Sequence, residues 1–155
     1  MKIYFVFGDT SLDDTLSLDL PAGSTDAHTD SVSIIDPLKD IDDLFATGSY
    51  DGTTKVWSLA KKNLTQNFNN HTAPIYYGLD HVVNSTSLNS FYLVDGSLDN
   101  YVNVYSIQTK SGVSEFVGHF NVEQVTSLRI VSFANGRIQA SSFLACIALV
   151  LIHFF

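Results

Sequence analysis

The chain has 155 residues, enough for one domain with a sizeable core, and its 45% hydrophobic and 15% charged content describes a folded globular protein. Sixteen acidic against eight basic residues leave a net charge of −8; such a surface repels phosphate backbones, and Lys61–Lys62 is the only adjacent basic pair, so direct nucleic-acid binding is not expected. A single cysteine, Cys146, excludes an internal disulfide.

Eleven Phe, seven Tyr and one Trp stand among abundant Ser, Thr, Val, Asn and Asp, a bias toward strands and turns. In chain order, Lys2 to Phe7 and Thr15 to Leu20 read as two strands. Ser31 to Ile35 is a third, followed by an acidic loop from Asp36 to Asp43. Leu44 to Ser49 and Thr53 to Leu59 flank the turn Tyr50-Asp51-Gly52, where Asp-Gly between apolar runs is a strong hairpin signal. Leu64 to Phe68 is a fourth strand of this unit. The polar stretch Asp80 to Ser90 reads as a long inter-strand loop. Phe143 to Phe155 is apolar apart from His153, yet far short of the roughly 20 residues a membrane-crossing helix needs.

Three stretches repeat. Ala27-His28-Thr29-Asp30-Ser31-Val32 leads to Ala46-Thr47-Gly48-Ser49-Tyr50-Asp51-Gly52 and Val56-Trp57-Ser58-Leu59. Asn70-His71-Thr72-Ala73-Pro74-Ile75 leads to Val94-Asp95-Gly96-Ser97-Leu98-Asp99-Asn100 and Val104-Tyr105-Ser106-Ile107. Gly118-His119 opens a third stretch that reaches Phe143. The three histidines lie 43 and 48 residues apart, and Asp51 to Asp99 and Trp57 to Tyr105 each span 48. Those periods are close to the roughly 40–45 residues of a four-stranded propeller blade.

This pattern resembles the WD-repeat proteins, closely in the first unit, well in the second and in the first half of the third. The resemblance implies an all-β partial β-propeller of about three and a half four-stranded antiparallel blades. Its parts are a half blade over 1–24, repeats over about 25–68, 69–117 and 118–143, and an apolar segment over 144–155 that is a degenerate last strand, an altered end or a weak anchor. Because propellers typically have four to eight blades, a fragment or truncated product of a larger propeller protein is expected. The resemblance also implies a hydrogen-bonded chain inside each blade. In the first unit its members are His28, Ser49 (or Thr47 on the same face), Asp51 and Trp57; in the second, His71, Ser97, Asp99 and Tyr105; His119 opens the third.

A Ser-His-Asp trio raises nucleophilic catalysis, but a trio that recurs in each unit points to architecture. Ile3 to Leu12, with Gly8-Asp9-Thr10-Ser11-Leu12, resembles the nucleophile block of GDSL-type esterases, yet Thr10 interrupts it and the family's late Asp-x-x-His is missing. Asp36, Asp40, Asp42 and Asp43 lack the spacing of a calcium loop. His81 and His153 lack partners at zinc spacing. Sequons occur at Asn63, Asn70 and Asn84, but the apolar run Ile3 to Phe7 is too short for a signal-peptide core. The expectation is therefore an intracellular, non-enzymatic scaffold for other proteins, without cofactor, metal or membrane association. A GDSL-like esterase and a non-functional truncated chain are the alternatives.

Overall fold

The computed structural model describes residues 2–6, 15–20, 24–38, 41, 43–83, 90–108, 114–121, 129–134, 137–141 and 149–153, and within them the chain is strand and turn. β1 (Lys2–Val6) and β2 (Thr15–Asp19) form an antiparallel pair. β3 (Val32–Pro37), β4 (Leu44–Ser49), β5 (Thr54–Ser58) and β6 (Asn63–Phe68) make a four-stranded sheet in chain order. β7 (Ile75–Val83), β8 (Ser90–Ser97), β9 (Tyr101–Gln108) and β10 (Ser114–Asn121) make a second of the same design. β11 (Arg129–Ala134), β12 (Arg137–Ser141) and β13 (Leu149–His153) make a three-stranded sheet. The leading strands gather, with β7 alongside both β3 and β11.

Burial explains the hydrophobic pattern. β6, on the edge of its sheet, alternates in and out from Asn63 to Phe68 as a half-covered strand does. β4 and β5 are instead buried almost throughout, because both faces of their sheet are covered. On one face Ala46, Val56 and Phe68 pack into a common core with Leu79, Phe91, Leu93, Tyr105 and Ile107 of the second sheet. Phe68 stacks on Tyr105 across that seam, with ring centroids 4.0 Å apart. On the other face Phe45 and Trp57 pack with Leu20, which directly follows β2, and with Leu59 and Leu64. Each large side chain fully buried in this way contributes about 1.5–3 kcal/mol.

Two glycines permit this geometry. Gly52 closes the β4–β5 turn with a φ of 78°, a conformation that costs an L-residue about 1–2 kcal/mol. The equivalent residue of the β8–β9 turn is Asn100, at φ 68°, one of the few non-glycine types that visit this region readily. At Gly48 the second sheet comes close to the first through Ile75. A Cβ there would come within 2.7 Å of the Ile75 Cγ2 and 2.8 Å of the Ile34 Cγ2.

Three expectations change. β3 continues to Pro37, so Asp36 is a strand residue and not part of the acidic loop. β7 continues to Val83, which removes Asp80 to Val83 from the expected inter-strand loop. The reason is a bulge between Ile75 and Gly78, after which Asp80, His81, Val82 and Val83 pair with Val94, Leu93, Tyr92 and Phe91. The second sheet also runs past residue 117, to Asn121, so Gly118 and His119 lie in β10, where His119 pairs with Asn103. Of the apolar tail, Leu149–His153 pairs antiparallel with β12, and Leu144 lies outside the described residues. Among the described residues no helix is long and apolar enough to cross a membrane.

The close approach at Gly48 is testable by Gly48→Ala. Branched, χ1-restricted Ile34 and Ile75 cannot swing clear cheaply, so overpacking will cost about 1–3 kcal/mol. Asn67→Ala on the outer strand β6, at an exposed position, is the reference. Matching urea midpoints for the two variants would show that the sheets are not held at this separation.

Candidate functional site

The β4–β5 and β8–β9 turns organise the polar interior. In the first unit His28 Nδ1 lies 3.0 Å from Asp51 Oδ2, and His28 Nε2 lies 2.7 Å from Thr47 Oγ1. Trp57 Nε1 donates to the same Thr47 Oγ1 at 2.9 Å. An ionised Asp51 can only accept, so His28 carries a proton on Nδ1 and donates to it. A neutral ring then accepts at Nε2 from the Thr47 hydroxyl, whose oxygen takes the indole N–H of Trp57. Asp51 also accepts from the backbone N–H groups of Thr29 and Thr53, both at 2.9 Å, and from the Thr53 hydroxyl at 2.6 Å.

Charge follows from that pattern. Burial of His28 lowers its pKa, outweighing the pull of Asp51, and the ring is neutral near pH 7. For Asp51 burial opposes ionisation, but the donors from Thr53, Thr29 and His28 prevail and bring the pKa to about 2.

In the second unit His71 Nδ1 lies 3.0 Å from Asp99 Oδ2, and Thr72 N–H donates to the same oxygen at 2.9 Å. The other ring nitrogen meets a different group. Asp95 occupies the position of Thr47, and its Oδ1 lies 2.9 Å from His71 Nε2. A carboxylate has no hydrogen to offer, so a ring placed between Asp95 and Asp99 is held as an imidazolium donating from both nitrogens. Burial alone would lower the pKa of His71, but the hydrogen bonds and charges of Asp95 and Asp99 raise it. The Asn103 carboxamide nitrogen lies 3.0 Å from the same Nε2; two donors cannot bond, so beside an imidazolium the amide turns its oxygen to that nitrogen. Tyr105 stands where the first unit has Trp57, and burial and the Asp95 charge push its phenol pKa upward, so it stays protonated.

Asp95 also reaches out of its own sheet. Thr54 Oγ1, in β5, donates to Asp95 Oδ2 at 2.5 Å, and neither residue is exposed. The carboxylate thus joins the two sheets and neutralises His71 at once. The residue pattern left Asp95 unassigned. The signal for it was its place opposite Thr47 in the 48-residue alignment of the two units.

Ser49 and Ser97 sit elsewhere than in a His-to-aromatic chain. Ser49 Oγ donates to the Ser31 carbonyl at 3.0 Å, and Ser97 Oγ to the Ala73 carbonyl at 2.7 Å. Each accepts the N–H of its turn aspartate, from Asp51 at 3.1 Å and from Asp99 at 3.2 Å. They fasten the turn to the incoming segment, while Thr47, on the same face of β4, holds the place expected for Ser49. His119 is placed by its backbone alone, in β10.

Other candidates resolve differently. Asp43 accepts from the Ser58 hydroxyl and the Ala60 N–H, so its carboxylate serves a turn. Asp40, Asp42 and the whole Gly8-to-Leu12 block with Ser11 lie outside the described residues. His81 Nδ1 lies 2.6 Å from Asp36 Oδ2 of the neighbouring sheet. On the surface, Tyr50 and Leu98 precede the two turn aspartates at equivalent positions, tied by matching bonds from Tyr50 N to Ser31 O and Leu98 N to Pro74 O, each 3.0 Å. Both are exposed, and Tyr50 stacks on Tyr76 with ring centroids 5.2 Å apart.

No family model and no curated protein matches this sequence. Among solved structures it is similar to the WD40 β-propeller domain of Doa1, with 18% identity and a TM-score of 0.52, over 82% of this chain and 37% of that chain. The fold is that of a WD40 β-propeller, all-β and antiparallel. The chain spans well under half of the solved chain it matches.

The two histidines should differ in charge. His71 will remain an imidazolium above its ordinary value of 6.5, and His28 will remain neutral below it. The stability consequences have opposite signs. The His71 contribution is present below pH 6.5 and is lost as pH rises through its raised folded pKa. The His28 site loses stability as pH falls below 6.5, because the unfolded chain takes up a proton that the folded ring refuses. Nitrogen-15 chemical shifts of the two rings check this directly. Asp95→Thr should bring His71 into the neutral pattern of His28; identical titrations of the two rings in the unaltered chain would refute the proton assignment.

Proposed function

We propose that the chain is a protein-binding scaffold and that its binding edge is the β4–β5 and β8–β9 turn edge. The observation that carries this is the paired display of Tyr50 and Leu98. The repeat places one large apolar side chain outward from each equivalent turn, with 37% and 49% exposure, on a base held by the buried histidine chains. Tyr76 braces Tyr50 from below, so the aromatic surface is presented with little freedom left to lose on binding. Rigid aromatic anchors on a fixed platform are what protein interfaces use most effectively. The WD40 fold supports the same reading, since sheets buried on both faces leave mainly their turns and edges for contact.

The same geometry argues against hydrolysis by the histidine sites. The side chains of His28 and His71 are each 1% exposed, and the hydroxyls of Ser49 and Ser97 are donated to backbone carbonyls. A nucleophile needs both a free hydroxyl–imidazole contact and access for substrate.

Tyr50→Asp and Leu98→Asp, with Asn67→Asp on the exposed β6 as the reference, test the edge. Proteins recovered on the immobilised full chain should be lost from both turn variants and retained by the reference, with circular dichroism unchanged in all three. A hot-spot side chain is worth about 2 kcal/mol or more, roughly a thirtyfold loss of affinity. Recovery unchanged in both turn variants would place the binding surface elsewhere.

A further inference from the structure

Three groups of metal-ligand type meet at the seam of the first two sheets, outside both histidine chains. Asp36 comes from β3, and Asp80 and His81 come from β7, which lies alongside it. One donor atom from each lies within 4.8 Å of the other two. His81 Nδ1 and Asp36 Oδ2 are 2.6 Å apart. Asp80 Oδ1 accepts the backbone N–H of His81 at 2.9 Å, which holds that carboxylate beside the ring of the next residue. The two aspartates hold equivalent places in their sheets, Asp36 opposite Ala46 and Asp80 opposite Val94. All three residues are half-buried.

We propose that Asp36, Asp80 and His81 form a divalent transition-metal site, best fitted to Zn2+, that clamps the first sheet to the second. One imidazole nitrogen and two carboxylate oxygens suit a tetrahedral ion of borderline softness, with water as the fourth ligand. Ca2+ and Mg2+ prefer sets of six or more oxygens and gain little from an imidazole. Zinc bonds of about 2.0–2.2 Å set tetrahedral donors roughly 3.3–3.5 Å apart. Reaching that spacing opens the His81–Asp36 contact by less than about 1 Å and draws in the donors separated by up to 4.8 Å, which side-chain rotation about fixed strands can supply. The backbone N–H of His81 orients Asp80 in the manner of an outer-shell partner. Binding requires an unprotonated Nδ1: a neutral ring meets this by carrying its proton on Nε2, whereas an imidazolium must first release a proton to solvent, so uptake weakens as pH falls. The ligands escape a spacing rule because Asp36 and His81 are 45 residues apart.

The full chain is titrated with Zn2+ by calorimetry, followed by thermal unfolding with and without the ion, and Co2+ is used as a spectroscopic substitute. The expected result is saturable Zn2+ uptake, a higher melting temperature reversed by chelator, and the intense visible bands of tetrahedral Co2+. Asp36→Asn and Asp80→Asn preserve shape and remove a charged ligand. Each should abolish the melting shift and weaken binding by at least the roughly 10–100-fold that follows loss of an outer-shell partner. His119→Ala and Cys146→Ser should bind as the unaltered chain does. If one Asn variant fails to fold, the other decides, and if both fail, the Co2+ spectrum of the unaltered chain decides. No Zn2+ uptake at millimolar concentration, uptake undiminished in a folded Asn variant, or a weak octahedral Co2+ spectrum overturns the proposal.

Discussion

Burial of the first four-stranded sheet on both faces is the constraint from which the rest of the structure follows. A sheet with one wet face can alternate apolar and polar residues, but β4 and β5 have water on neither side. An uncharged side chain on them must be either apolar or hydrogen-bonded, while the cation Lys55 in β5 has its pKa lowered by burial against the attraction of Asp51 and Asp26. Phe45, Ala46, Val56 and Trp57 answer the first requirement, and Thr47, Ser49, Thr54 and Ser58 answer the second. Gly48 belongs to the same constraint, since the neighbouring sheet comes too close there for any side chain.

The polar chains are the solution to that burial. Thr47 passes a hydrogen bond from Trp57 to His28, and His28 passes one to Asp51, so that each donor finds an acceptor. The second unit solves the same problem with charge. Replacing a hydroxyl by the carboxylate of Asp95 removes a donor and forces His71 to supply one from each nitrogen. Two aspartates and one imidazolium are tolerable in the interior only because each is hydrogen-bonded, Asp95 additionally by Thr54 from the next sheet. The exchange of Thr47 for Asp95 thus turns a relay through a neutral imidazole into an ion cluster that also spans the seam.

Much of this was legible in the residues. The 48-residue offset carries Asp51 to Asp99 and Trp57 to Tyr105, and each strand of the first sheet lies within a residue or two of where apolar runs and the Asp-Gly turn place it. What escaped was the role of groups whose partners come from another sheet. Asp80 and His81 look like loop residues because they are polar, yet a bulge sets them in β7 against Asp36. Ser49 and Thr47 share a face, and sequence could not choose between them; the reach of the Trp57 indole selects Thr47.

The sequence by itself determined the strand order, the turn chemistry and the all-β repeat, because those depend on periodicity and on backbone preferences within a few residues of each other. Only the tertiary structure decided which polar groups meet. Asp95 with Thr54 and Asp36 with His81 are separated by 41 and 45 residues along the chain. Their pairing follows from the distance and register at which one sheet packs on the next, a quantity that no local pattern encodes.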